Sequence, residues 1–197
     1  MRRAIFGGSF DPVHQAHLEV ARAAADRFHL DRVLFVPAYR PPHKSGVTHA
    51  DYEDRVRMLE LASAGNARYE VSRLEEGTER SYSIDTIEKI QAVLDARDEL
   101  FFLIGADAFA EITTWRRWQD VIRAVSFIVV SRPGHGYVVP EGARVERLES
   151  LELPVSSSEV RHRLAAGERP AELPPPVLAY ILEHGLYRTR RGDSVSD

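Results

Sequence analysis

A chain of 197 residues with a formal net charge of −4 has the length of one α/β domain, and so weak a negative charge gives nucleic acid or an anionic membrane no global hold on it. It contains no cysteine, which excludes disulfides, thiol catalysis and thiolate metal sites. No apolar run approaches the roughly 20 residues of a membrane span, and the first strand-like run leaves no room for a signal peptide, so the expected location is cytoplasmic, with neither membrane nor nucleic acid as partner.

In chain order, residues 4–6 form a short apolar run that reads as a first strand. Gly7-Gly8-Ser9-Phe10-Asp11-Pro12-Val13-His14-Gln15-Ala16-His17 follows it, and Leu18, Ala21, Ala25 and Phe28 then repeat at the spacing of a core-facing helix. This is strand, glycine turn and helix. The glycines are expected to take positive φ and let the backbone approach a ligand. His14 and His17, three apart, project from one face of the opening helical turn. A helix start has unpaired N–H groups and a partial positive charge, so the combination predicts a polyphosphate site.

Further strand-length runs lie at 33–36, 69–71, 100–104 and 127–130, separated by helical stripes such as Tyr52, Val56, Leu59, Ala62 and Ile84, Ile87, Ile90, Leu94. The alternation predicts an α/β fold: a Rossmann-like, doubly wound parallel sheet with helices on both faces, in one domain over residues 1–189. The proline-bearing run 37–50, with His43 and Lys44, falls where ligand-binding loops of such sheets lie. Ser83 reads as an N-cap. Trp115 is either core or a flat face for a cationic ring. Asp107, after the strand 100–104, is either a helix cap or a contact for sugar hydroxyls. Residues 132–143 read as a surface excursion. Ser156 and Glu159 have capping-box spacing ahead of a helix that carries Arg161. Residues 177–184 read as a last helix stopped by Gly185, and 190–197 as a disordered tail.

Gly-Gly-Ser-Phe-Asp-Pro-x-His-x-x-His-Leu resembles the signature of the nucleotidyltransferase superfamily that shares its fold with class I aminoacyl-tRNA synthetases. Within it the chain is most similar to bacterial nicotinate-mononucleotide adenylyltransferases, with Ala16 where that family commonly has glycine. The resemblance extends to Pro41-Pro42-His43-Lys44 and to the late serine-serine-x-x-x-arginine segment that ends at Arg161 and includes Ser157 and Ser158. It implies adenylyl transfer from ATP to nicotinate mononucleotide, giving deamido-NAD and pyrophosphate. ATP would be held by Gly7, Gly8, Ser9, Phe10, His17, Gly105, Asp107, Ser157, Ser158 and Arg161. His14, His17, Lys44 and Arg161 would carry the chemistry. Lys44, Ser83, Thr86, Trp115, Arg116 and Arg132 would meet the acceptor, with backbone N–H groups near Thr86 and Arg116 on its carboxylate. Magnesium would arrive on the triphosphate, with no metal ligands from the protein. The alternatives are an adenylyltransferase for another phosphomonoester such as phosphopantetheine, or an ATP-binding module without turnover. A homo-oligomer is left open, because a parallel sheet can pair through many surfaces.

Overall fold

The computed structural model describes residues 1–41, 48–132, 136–149 and 155–188. Among these, six strands form one parallel sheet: β1 (Arg2–Gly8), β2 (Arg32–Pro37), β3 (Tyr69–Val71), β4 (Glu99–Gly105), β5 (Ser126–Ser131) and β6 (Arg144–Glu149). Their spatial order is β3-β2-β1-β4-β5-β6. The chain winds outward from β1 in one direction through β2 and β3, then crosses back to β4 and winds the other way. The reversal falls between β1 and β4, so a crevice opens at their carboxyl ends, where open α/β sheets bind ligands.

Residues alternate between the two faces of each strand, and each face has its own core. Ala4, Val33 and Phe35 pack on one side with α1 (Gln15–Arg27), α2 (Tyr52–Ser63), α6 (Ser157–Ala165) and α7 (Pro175–His184). Ile5, Leu34 and Val36 pack on the other with α3 (Ser83–Gln91), α4 (Ala106–Ala110), the 3₁₀ turn Ile112–Thr114 and α5 (Trp118–Ala124). The helical stripes face these cores: Ala21 and Ala25 in α1, Val56 and Leu59 in α2, and Ile84, Ile87 and Ile90 in α3 are all buried. Gly185 closes α7 in the left-handed region at φ 64°.

Two local expectations are corrected. Ser83 is not the cap of α3 but its first helical residue; the extended Tyr82 at φ −96° is the N-cap. The excursion expected after β5 is followed by a sixth strand with no apolar alternation in its sequence. β6 is an edge strand, and Leu148 is its one buried residue, so the usual strand signature is missing.

Candidate active site

The carboxyl end of β1 runs into a turn that differs from the expected glycine turn. Neither Gly7 nor Gly8 has positive φ; both belong to β1, and the left-handed residue is Phe10 at φ 48°. Gly8 is required for a different reason. A Cβ there would lie 3.1 Å from Phe10 Cζ, and Phe10 is buried against the rings of Phe6, Phe35 and His17. The glycine thus lets an inward-turned phenylalanine fold back over its own strand.

The turn delivers His14 to the N-cap of α1 and His17 to its first turn. The rings lie 3.9 Å apart at centroid, and the His14 backbone N–H donates to His17 Nδ1 at 3.2 Å. That bond makes Nδ1 an acceptor and leaves the His17 proton on Nε2. His14 is buried, which lowers its pKa to about 4 against the partial opposition of the Glu172 carboxylate. Its imidazole is therefore neutral at physiological pH, and a neutral ring still donates one hydrogen bond.

The late segment meets the turn directly. Ser156 caps α6, its side chain accepting from Glu159 N at 3.1 Å, as the capping-box spacing predicted. Ser157 Oγ donates to the Pro12 carbonyl at 3.1 Å. Arg161 donates through Nη1 to the Asp11 carbonyl at 2.7 Å and through Nη2 to Ser158 Oγ at 3.0 Å. Segments 145 and 150 residues apart are thus brought together. Ser158 and Arg161 also line a cleft of about 290 Å³ with His49, His162 and Tyr187.

A second hollow of about 300 Å³ opens at the β1/β4 crevice, with Gly7, Gly8, Ser9, Gly105, Ser83 and Trp115 in its wall. Trp115 packs edge-on against Phe102, at 5.9 Å between ring centroids. Thr86 is buried behind this wall: its Oγ1 donates to Glu75 Oε1 at 2.7 Å, and its N–H donates to the Tyr82 carbonyl at 3.3 Å. The amide at Thr86 is thus engaged within α3, and those of Ser83 and Ile84 precede the first intrahelical bond. Arg116 is exposed, with its guanidinium 4.6 Å from the centre of the Tyr82 ring and 3.6 Å from Asp85. Asp107 is exposed on the first turn of α4. Arg132 lies exposed just past β5 and lines neither hollow. Ala16, in the first turn of α1, is half-buried. Lys44 and the tail 190–197 lie outside the described residues.

The cytidylyltransferase-like family profile matches residues 5–163. A probable nicotinate-nucleotide adenylyltransferase of Solibacter usitatus is 67% identical over 187 residues, spanning 95% of this chain and 100% of the relative. This chain belongs to the nicotinate-nucleotide adenylyltransferases of the cytidylyltransferase-like family. Further probable members are similar along nearly the whole length. That of Thermus thermophilus is 43% identical over 191 residues (95% of this chain, 100% of the relative). That of Tropheryma whipplei is 41% identical over 188 residues (94% and 100%). The solved structure of Plasmodium falciparum nicotinic acid mononucleotide adenylyltransferase complexed with NaAD has a TM-score of 0.75, covering 94% of this chain and 97% of that one. At 20% identity that likeness speaks for the fold alone.

In this adenylyltransferase the residues that knit the site include several whose bonding role no motif spacing marks. Asp11 is 3% exposed, and its carboxylate accepts from His49 N at 2.8 Å, Ala50 N at 3.1 Å and Tyr187 OH at 2.7 Å. Arg55, 1% exposed in the middle of α2, donates from Nη1 to the carbonyls of Ser9 and Ala38, each at 2.8 Å. It staples the β1 turn to the loop after β2. Ser81 Oγ accepts from the amides of Tyr39 at 2.9 Å and Arg40 at 3.1 Å, joining that loop to the one before α3. Arg55 shows as one charged residue inside an otherwise apolar stripe, which is a readable signal. Asp11 stands inside the signature, but its bonding role, like those of Ser81 and Tyr187, gives no local signal, because the partners lie tens of residues away or more.

Proposed function

We propose that the protein transfers the adenylyl group of ATP to nicotinate mononucleotide, releasing pyrophosphate and forming deamido-NAD in NAD biosynthesis. The observation that carries this reading is the contact of α6 with the β1 turn, Arg161 to Asp11 at 2.7 Å, which brings both phosphate-binding segments of the chain to one place. An acceptor phosphate oxygen attacks the α-phosphorus of ATP, and the bond from that phosphorus to the bridging oxygen of the β-phosphate breaks. The acceptor phosphate is largely ionised at neutral pH, so no general base is needed. Repulsion between anions and the cost of aligning two large molecules oppose the reaction, and positioned donors reduce both.

In this reading His14 and His17 donate to the α-phosphate and the bridging oxygen, where charge grows in the transition state. Ser157, Ser158, Arg161 and Lys44 hold the remaining phosphates. The strand ends at Gly7, Gly8, Ser9 and Phe10, with Gly105 and Asp107, receive the adenosine. The acceptor ring lies against Trp115, with its carboxylate toward the first amides of α3, ahead of Thr86, and toward Arg116; Arg132 approaches the nucleotide from the end of β5. Magnesium would enter with ATP, where phosphate oxygens and water would hold it and it would neutralise phosphate charge. Asp11, the carboxylate nearest the phosphate-binding segments, already accepts three hydrogen bonds and is not offered as a ligand. ATP and the acceptor are cytoplasmic metabolites, and we place the protein there; among the described residues no helix is long and apolar enough to cross a membrane.

Pyrophosphate release measured with ATP and a panel of acceptors tests the reading. Nicotinate mononucleotide should be used at least roughly 100-fold more efficiently than nicotinamide mononucleotide, since backbone donors facing a carboxamide NH₂ go unsatisfied. Comparable kcat/KM for the two, or preference for phosphopantetheine, would refute it.

A further inference from the structure

The wall of the β1/β4 cavity contains a carboxylate that the reaction derived above does not use. Glu75, in the turn after β3, is 8% exposed and lines the cavity together with Ser81, Ser83 and Trp115. Its Oε1 accepts from Thr86 Oγ1 at 2.7 Å. Its Oε2 is buried and has no hydrogen-bond partner among the described residues. Its backbone is fixed as well, since the Glu75 carbonyl accepts from Thr78 N at 3.2 Å and Thr78 Oγ1 at 2.7 Å. A carboxylate oxygen held in place, out of water and without a donor, opposes folding unless something else compensates it.

We propose that Glu75 is the counter-charge for the pyridinium ring of the acceptor nucleotide, a specificity-determining residue that makes this cavity select a cationic ring over a neutral one. The inference rests on the reading that the cavity takes nicotinate mononucleotide. The ring nitrogen of that nucleotide is bonded to the ribose, so it carries positive charge and has no N–H to offer. A lysine or an amide would demand hydrogen-bond geometry from its partner; a pyridinium offers only charge and polarised ring C–H groups. An oxygen with no hydrogen bond to satisfy suits that ligand. Trp115, in the same wall, adds the attraction of an aromatic face for a cation. The two are complementary, because the π-face can take the ring plane while the carboxylate supplies negative charge from within the same wall.

The charge on the ring is two-sided, and so is the cavity. The substrate carboxylate meets the free amides at the start of α3, where the helix presents its partial positive end, and not the Glu75 oxygens. The anion of Glu75 and the amides that open α3 thus offer a zwitterionic ring one negative and one positive pole. Thr86 links them: the same residue is bonded to Glu75 through its side chain and belongs to the first turn of α3. A ring lacking either charge loses one pole, and a phosphomonoester with no ring cation loses the contribution of Glu75 altogether.

The test is Glu75→Gln, which keeps the volume and an acceptor for Thr86 Oγ1 while removing the charge. Steady-state KM is measured for nicotinate mononucleotide and for ATP. The inhibition constant of the 1,4-dihydro form of the same nucleotide, whose ring is neutral, is measured alongside thermal unfolding. The KM for nicotinate mononucleotide should rise roughly tenfold or more, while KM for ATP, the inhibition constant of the neutral-ring nucleotide and Tm stay near the wild-type values. An unchanged KM for nicotinate mononucleotide overturns the proposal. Equal losses for the charged and neutral rings overturn it too, since they would reduce Glu75 to a structural group. Wild-type protein that releases no pyrophosphate with nicotinate mononucleotide would refute the proposed function instead, so the two failures are distinguishable.

Discussion

Lowering the pH from about 7 to about 4 should destabilise the protein through His14. Burial holds this imidazole at a pKa of about 4 in the folded chain, against the ordinary 6.5 that applies once it is unfolded and solvated. Between those values the unfolded chain binds the proton and the folded chain does not, so stability falls as pH falls. The contribution is fully present above about 6.5 and lost progressively toward 4. Each pKa unit is worth about 1.4 kcal/mol, so the interval corresponds to about 3 kcal/mol, a large share of the stability of a typical domain. Urea unfolding of the wild type and of His14→Gln at a series of pH values isolates the effect from that of the carboxylates, which titrate in both. The wild-type curve should drop toward the variant's by that amount. Parallel curves across the interval would refute the assignment of a buried neutral imidazole at the mouth of α1.

The other expectations concern the same turn. His17→Ala should lower kcat by about 100-fold or more with little change in KM for ATP, because the lost donor acts on charge that develops during reaction; near-normal kcat in steady-state assays would contradict it. Gly8→Ala places a Cβ within 3.1–3.3 Å of three Phe10 ring atoms in a cluster of rings with little room to yield. Overpacking of this kind costs about 1–3 kcal/mol, read as a drop in Tm. Gly7→Ala, whose Cβ would touch only Phe102 Cζ at 3.7 Å, is the tolerated control. Tyr187→Phe removes the 2.7 Å bond to Asp11 and should cost about 1.5–3 kcal/mol in chemical denaturation, as expected for a hydrogen bond to an ionised group. No change would mean that Asp11 is held by its two backbone donors alone.

What the sequence made legible was local. The β1 strand, the start of α1 and the pairing of His14 with His17 lie within a few residues of one another, and the capping of α6 by Ser156 depends on Glu159 three positions on. Such signals sit inside one turn of chain and survive without tertiary knowledge. The turn mechanism was misread because glycine is the usual carrier of positive φ; here the buried Phe10 takes that conformation, and Gly8 serves to make room for its ring. Of the cavity wall, Trp115 was legible and Glu75 was not. An acidic residue in a polar loop reads as solvated surface until Thr86, eleven positions later, is seen bonded to it. β6 was missed because a strand at a sheet edge needs only one inward residue.

Asp11 and Tyr187 lie 176 positions apart and hydrogen-bond directly, alongside the contact of Arg161 with the Asp11 carbonyl. During synthesis, therefore, the turn at Asp11 emerges before either partner and waits, incomplete, until α6 and then Tyr187 have followed it. A nascent polypeptide that already holds strands β1 to β6 still lacks the phenol that closes on Asp11. A fragment cut short before Tyr187 would carry the signature without that clasp.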